Sequence, residues 1–220
     1  MKLYIKNLCY AYEAAEKGEP RSIFSDVNLE IDSGERVEIE GENGSGKTTL
    51  HKLLACILEV KQGKISLGNS GHNSEDYKKY MAYVPANPIV FDELTGVEHI
   101  GLFCDLWDKK GAEKKRYTQR VYELAEEFRL TVFMKEKVRT YSLGTRYKLF
   151  FILMAAREPR LFLLDEPFTS LDFAMQQKAV SFLKESLPES IVVMSSHQKE
   201  LIEQLATVTY KITDKNIIRA

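Results

Sequence analysis

The chain has 220 residues, 31 Lys+Arg against 32 Asp+Glu, a formal net charge of -1, and 44% hydrophobic with 29% charged residues, the profile of an ordinary globular domain. Balanced charge leaves no bulk field to hold nucleic acid or an anionic membrane, so no nucleic-acid partner is expected. The longest apolar run, Leu149 to Ala156, is far short of the roughly twenty residues of a membrane span, so the chain is not expected to cross a bilayer by itself.

In chain order, strand-like runs cover Leu3 to Leu8, Phe24 to Ile31 and Arg36 to Glu40, with a polar stretch at Glu13 to Arg21 and the turn DSGE at Asp32 to Glu35. From Lys47 to Leu58 the period becomes helical, with Leu50, Leu53, Leu54, Ile57 and Leu58 recurring at three and four residues. Strands at Lys64 to Leu67 and Tyr80 to Val84 follow. About Thr95 to Val138 the chain carries charged amphipathic patterns without strand signals, as in Val121, Leu124, Ala125 and Phe128 on one face, and reads as a helical lobe. Beyond it come a helix (Gly144 to Arg157), an apolar strand (Leu161 to Leu164), a helix (Phe173 to Leu187), a second apolar strand (Ile191 to Ser195) and a closing segment. Short apolar strands between helices predict a parallel sheet covered on both faces. The fold class expected is α/β, a mainly parallel core with an antiparallel N-terminal part and a helical insertion.

Cys9, Cys56 and Cys104 show no CxxC spacing, and His51, His72, His99 and His197 are unclustered, so a protein-caged zinc is not expected. The start MKLYIKNLCY lacks an apolar stretch of signal-peptide length, and a cytosolic location is expected.

GENGSGKTT, Gly41 to Thr49, matches GxxxxGK[ST] between a predicted strand and a predicted helix, the context a phosphate-binding loop requires. Backbone N–H groups of Asn43, Gly44, Ser45 and Gly46 would form an anion nest completed by the helix N-terminus, with Lys47 reaching the β- and γ-phosphates and Thr48 offering a hydroxyl to Mg²⁺. LFLLDEP, Leu161 to Pro167, then delivers Asp165 and Glu166 to the C-terminal edge of a buried strand, where ligand sites of open α/β sheets lie. Asp165 suits Mg²⁺, and Glu166 suits polarisation of the water that attacks a γ-phosphate.

With these motifs the chain resembles, over nearly its whole length, the nucleotide-binding domain of ATP-binding-cassette (ABC) transporters. The resemblance implies a P-loop NTPase of one domain, 1–220, with a helical subdomain at about 88–142 inserted in the core. SLD at Ser170 to Asp172 matches the family's D-loop, and MSSHQ puts His197 where the family has a switch histidine that contacts the γ-phosphate. Tyr12 matches the aromatic that stacks on adenine, with Tyr10 as the neighbouring alternative. YSLGTRYKL occupies the signature position, keeping Ser142 and Gly144 of LSGGQ. In the family this element completes the P-loop site of a second subunit, which implies a head-to-tail homodimer or heterodimer holding two ATP molecules. The family's Q-loop glutamine is Ala86 here, in AYVPANP, with Asn87 next to it. Glu38 and Glu40 depart from the apolar pattern of the strand entering the P-loop; a basic partner or an exposed face is expected for Glu38, and solvent for Glu40.

The implied function is the ATPase subunit of a transporter, using ATP and Mg²⁺, peripheral on the inner face of the cell membrane through an integral membrane permease subunit. A soluble ABC-type ATPase and a regulatory ATP-binding subunit with weak hydrolysis are the alternatives. Pro88 to Trp107 and the YSLG form are more similar to small exporter cassettes than to nutrient importers, which favours export. A groove between the helical lobe and the Q-loop region is expected to receive a short helix of the membrane subunit, with Phe91, Phe103 and Trp107 as candidates to line it and packing in the core of the lobe as the leading use of each taken singly.

Overall fold

The structure, a computed structural model, describes residues 1–13 and 19–220; the centre of the polar stretch expected at Glu13 to Arg21 lies outside them. Two antiparallel strands open the chain, β1 (Lys2–Tyr12) and β2 (Arg21–Asp32), longer at both ends than their apolar cores predict. Register shifts between Ile5 and Ala11 let β1 continue past Leu8, with Asn7 (φ 49°) at the irregularity, and this carries the strand up to Tyr12. Strand β3 (Arg36–Glu40) leads into the Gly-rich loop, and helix α1 (Lys47–Leu54) leaves it. Helix α1 stops four residues before the predicted end because Cys56 adopts φ 57°, and Ile57 past that turn is 57% exposed.

Next come β4 (Gln62–Leu67), the short β5 (Ser70–Gly71), helix α2 (Glu75–Tyr80) and β6 (Met81–Val84). Tyr80, read as strand from sequence, is instead the last residue of α2. Ser74 caps that helix by accepting a hydrogen bond from Tyr77 N, with Glu75 and Asp76 in its first turn. The lobe contains α3 (Gly96–Leu106), started by a Thr95–Glu98 capping box, and α4 (Gly111–Glu127). Then follow α5 (Leu143–Ala155), β7 (Leu161–Asp165), α6 (Phe173–Glu185), β8 (Ile191–Ser195), α7 (Lys199–Leu205), β9 (Val208–Thr213) and β10 (Asn216–Arg219).

The strands form a four-stranded sheet, β2-β1-β4-β5, paired antiparallel, and a six-stranded sheet, β10-β9-β3-β8-β7-β6, parallel except at its β10 edge. Strands β7 and β8 are buried at every position and alternate between two cores. Leu161, Leu163, Ile191 and Val193 face the core shared with the four-stranded sheet; Phe162, Leu164, Val192 and Met194 face the one shared with α3 to α6. The closing segment resolves into α7 and the β9–β10 hairpin, whose turn places Asp214 and Lys215 at φ 47° and 63°. Strand β9 also corrects the expectation for Glu38. Glu38 is half-buried beside Thr209 in the β3–β9 register, and its Oε2 accepts a 2.9 Å hydrogen bond from the Thr209 hydroxyl, a neutral partner. Glu40 is exposed. Among the described residues, no helix is long and apolar enough to cross a membrane.

Candidate functional site

The loop between β3 and α1 is shaped by what it must lie against. Gly46 has φ 118°, and a Cβ there would stand 2.7 Å from Ile23 Cγ2 and 3.0 Å from the Phe24 ring, so the loop closes against β2 only with glycine. No side chain caps α1, which leaves its first N–H groups for a ligand. Lys47 is folded back on its own loop, its Nζ donating to Gly41 O at 2.6 Å and Glu42 O at 3.2 Å.

The loop borders a cavity of about 250 Å³. Asn43, Gly44, Gly46, Lys47, Thr48 and Thr49 line it from the loop and α1, Tyr12 from β1, and Glu166 and His197 from the C-terminal ends of β7 and β8. Tyr12 is 37% exposed, shares a 3.1 Å hydroxyl–hydroxyl bond with Thr49, and is backed edge-on by Tyr10 at 5.1 Å. Of the two tyrosines weighed from sequence, Tyr12 is the one that lines the cavity.

The two carboxylates occupy different environments one residue apart. Asp165 is buried: Oδ1 accepts from the Ser195 hydroxyl at 2.9 Å and Oδ2 from the Tyr83 hydroxyl at 3.5 Å. Glu166 takes a left-handed conformation, φ 50°, which costs about 1 kcal/mol for a non-glycine residue. Its N–H donates to Ser195 O at 2.8 Å, its Oε2 accepts from His197 N at 3.2 Å, and its Oε1 lies 3.3 Å from His197 Nε2. The turn thus rotates Glu166 out of the sheet and toward His197. Behind Asp165 stands His51, which sequence patterning places only on the apolar face of a helix. It is fully buried, near-parallel to Tyr83 at 6.3 Å, and neither ring nitrogen has a hydrogen-bond partner among the described residues. Burial pushes its pKa down to about 4 against the opposing pull of Asp165, so the ring is neutral near pH 7.

Other sequence-predicted residues are not brought to this cavity. Ser45 lines an adjoining one, and its hydroxyl is buried without a hydrogen-bond partner among the described residues. Ser142 caps α5, accepting from Thr145 N at 3.2 Å, and Asp172 caps α6, accepting from Met175 N at 2.9 Å; neither lines the cavity, nor does Gly144. A Cβ on Gly144 would lie 2.5 Å from Ser170 O, so the turn carrying Ser142 and the one carrying Asp172 are packed backbone against side-chain-free backbone. Ala86 and Asn87 are exposed just beyond β6. Arg21, Ile23 and Glu42 line the cavity without having been singled out from sequence. Arg21 and Ile23 sit on β2, whose alignment with the loop is a tertiary fact.

A family model described as ABC transporter matches residues 24–169. The uncharacterized ABC transporter ATP-binding protein YdbJ of Bacillus subtilis is 30% identical over 190 residues, 84% of this chain and 59% of that protein. An sn-glycerol-3-phosphate import ATP-binding protein of Chromobacterium violaceum is 32% identical over 172 residues, 78% of this chain and 45% of that protein. The cytochrome c biogenesis ATP-binding export protein CcmA of Xanthomonas axonopodis is 28% identical over 165 residues, 75% and 74% of the two chains. The chain therefore spans about half the length of two of these relatives. Among solved structures, an ATP-binding subunit of an ABC transporter superposes with TM-score 0.87 at 26% identity, covering 100% of this chain and 90% of that one. The ATP-binding cassette MJ0796, a dimer bound to ADP and Pi, superposes with TM-score 0.83 at 22% identity, covering 98% and 96%.

Proposed function

The chain belongs to the ABC ATPase family, and on that premise we propose that it is the ATP-hydrolysing subunit of a transporter, acting as a head-to-tail dimer on separate membrane subunits. The observation that carries the reading is the convergence, in one cavity, of the P-loop, the β1 aromatic Tyr12 and the Glu166–His197 pair. Adenine stacks on Tyr12, the N–H groups of Asn43 to Gly46 hold the phosphates, and Lys47 leaves the Gly41 and Glu42 carbonyls for the γ-phosphate. Glu166, turned out of the sheet, accepts the proton of the attacking water, while His197 holds that carboxylate and faces the γ-phosphate. ATP and water give ADP and phosphate.

Thr48 and Asp165 supply hard oxygen donors of the kind Mg²⁺ takes, and a carboxylate with two accepted bonds keeps lone pairs for more. Bound there, Mg²⁺ would offset the charge of the β- and γ-phosphates. Ser142, Gly144 and Asp172 belong in this reading to the facing subunit's site. In support, none of them lines the cavity of its own chain, and Leu143 and Phe173 beside them are 62% and 70% exposed, a pair of apolar side chains suited to a covered face.

For the membrane partner, a cleft of about 1060 Å³ runs between Cys56, Lys79 and Tyr80 on one side and Leu106, Trp107 and Lys109 on the other, large enough for a short helix. Trp107 lines it, Phe103 is buried in the core of the lobe, and neither Phe91 nor Ala86 and Asn87 of the Q-loop position line it, so it is a different cleft from the one expected beside the Q-loop. Export is favoured by the similarity of Pro88 to Trp107 to small exporter cassettes, while curated relatives include import and export proteins. Phosphate release from Mg-ATP by the purified chain tests the reading. Turnover that Glu166→Gln abolishes is expected; no release by the parent, alone or with its membrane partner, would overturn it.

A further inference from the structure

Among the described residues, Lys47 and Arg21 are the Lys and Arg side chains that line the nucleotide cavity, and both rest on carbonyls of the same loop. Lys47 is held by Gly41 O and Glu42 O; Arg21 is held by Gly44 O, to which its Nη2 donates at 3.4 Å. The P-loop motif accounts for Lys47. No motif accounts for Arg21. It is the first residue of β2 and pairs directly with Tyr12 across the antiparallel β1–β2 ladder, so the two side chains stand on one face. Arg21 also lines the adjoining cavity of about 430 Å³ with Ser45, Lys211 and Lys215, which makes it part of the wall between the two spaces.

The charges in the first cavity give this position a purpose. Glu42 and Glu166 both line it, so a polyphosphate enters against two carboxylates. In the cassette reading Lys47 and the loop N–H groups serve the β- and γ-phosphates, which leaves the α-phosphate without a cation of its own among the described residues. Arg21 is exposed and tied by one long bond to a neutral carbonyl, and a phosphate oxygen offers its guanidinium a shorter, charge-assisted and bidentate alternative. Its position follows from its two neighbours: Tyr12 marks the base end of the cavity and Gly44 the middle of the loop, so Arg21 lies between base and β-phosphate.

We propose that Arg21 binds the α-phosphate of the nucleotide whose base rests on Tyr12, leaving Gly44 O when the site fills. This rests on the cassette reading in requiring a nucleotide in the cavity. It adds a contact indifferent to the γ-phosphate, so it grips ATP and ADP alike and bears on nucleotide release rather than on the chemical step.

The test is displacement of trinitrophenyl-ATP from the purified chain by ATP, ADP and adenosine, for the parent, Arg21→Ala and Arg21→Lys. Arg21→Ala is expected to weaken ATP and ADP by the same factor, about tenfold, and to leave adenosine unchanged, with Arg21→Lys recovering part of the loss. Affinities for ATP and ADP within about twofold of the parent overturn the proposal. An equal loss for adenosine would mean that Arg21 braces the Tyr12 platform, and a loss for ATP alone would move the guanidinium to the γ-phosphate; either result overturns the placement. A parent chain that binds none of the three overturns the cassette reading and this proposal with it.

Discussion

Arg157→Met should destabilise the seam between lobe and core more than any contact at the surface. Arg157 follows α5 and reaches the end of α2: Nη1 donates to Met81 O at 2.8 Å, and Nη2 to Lys78 O at 2.9 Å and Lys79 O at 3.1 Å. These carbonyls lie at or just past a helix C-terminus, where a helix has no partners of its own and where a cation is favoured. The other side of the guanidinium stacks on Trp107 at the end of α3, 4.3 Å from the ring centroid, and Trp107 packs edge-on to Phe103 and Tyr117. Burial lowers the Arg157 pKa to about 10, which still leaves it charged at neutral pH. Methionine keeps the stem and removes the donors. Each bond to a charged donor is worth about 1.5 to 3 kcal/mol net, and a desolvated cation–π contact about 2. Against this stands the relieved cost of desolvating a guanidinium, and the carbonyls left behind are neutral and border an open cleft, so we expect a net loss of about 2 to 3 kcal/mol. At about 2 to 4 °C per kcal/mol for a chain of this size, Tm falls by about 4 to 12 °C. Circular dichroism melting reads the shift. Trp107, the single tryptophan, reports it independently through red-shifted emission in the folded state. Arg157→Lys should recover less than half, because an ammonium cannot stack on the indole and serve three fixed acceptors together. A Tm within about 2 °C of the parent, with unchanged emission, would refute the reasoning.

Lys47→Ala should abolish hydrolysis and weaken ATP binding, since in the proposed reading it removes the ammonium that would turn from the Gly41 and Glu42 carbonyls to the β- and γ-phosphates; phosphate release and nucleotide titration check it, and retained turnover in a preparation free of other ATPases contradicts it. Ala86→Gln should raise kcat with little change in nucleotide affinity, because one restored, oriented contact in the transition state is worth about 2.7 to 4 kcal/mol, a hundredfold or more in rate. An Ala86→Gln chain no faster than the parent, with Asn87→Ala strongly impaired, would place that role on Asn87 instead.

What could be read from sequence was what is local. The P-loop needs a strand, a glycine-rich turn and a helix in succession, and Arg36 to Leu54 carries all three within one window. The buried strands β7 and β8 announced themselves as short apolar runs because both of their faces are covered. The end of α1 was misplaced because Ile57 and Leu58 continue the helical period while Cys56 breaks the backbone, and period alone does not register a left-handed residue. Helix α2 was missed for its brevity, although Ser74 followed by two acids is a start signal. The β9–β10 hairpin was missed because its turn uses Asp214 and Lys215 at positive φ without the usual glycine. That omission carried into the site: without β9 there is no Thr209 beside Glu38, and a basic partner or an exposed face is the expectation instead. Arg21 beside Gly44 and His51 behind Asp165 depend on elements far apart in the chain meeting in space, which one sequence does not encode in its spacing.

The central claim is that two copies, or two related chains, close head to tail over ATP, with Ser142 and Gly144 of each completing the P-loop site of the other. The most direct measurement is the molar mass of the Glu166→Gln variant by light scattering coupled to size exclusion, with and without Mg-ATP at saturating concentration. Removing the carboxylate that accepts the water's proton should leave binding intact and block the hydrolysis that reopens the dimer. The account predicts a monomer without nucleotide and, with Mg-ATP, a dimer carrying two ATP molecules, lost again on Leu143→Asp in the same background, a change at an exposed side chain of the covered face. A Glu166→Gln chain that binds ATP to saturation and remains monomeric, in the presence of its membrane partner as well as alone, would contradict it.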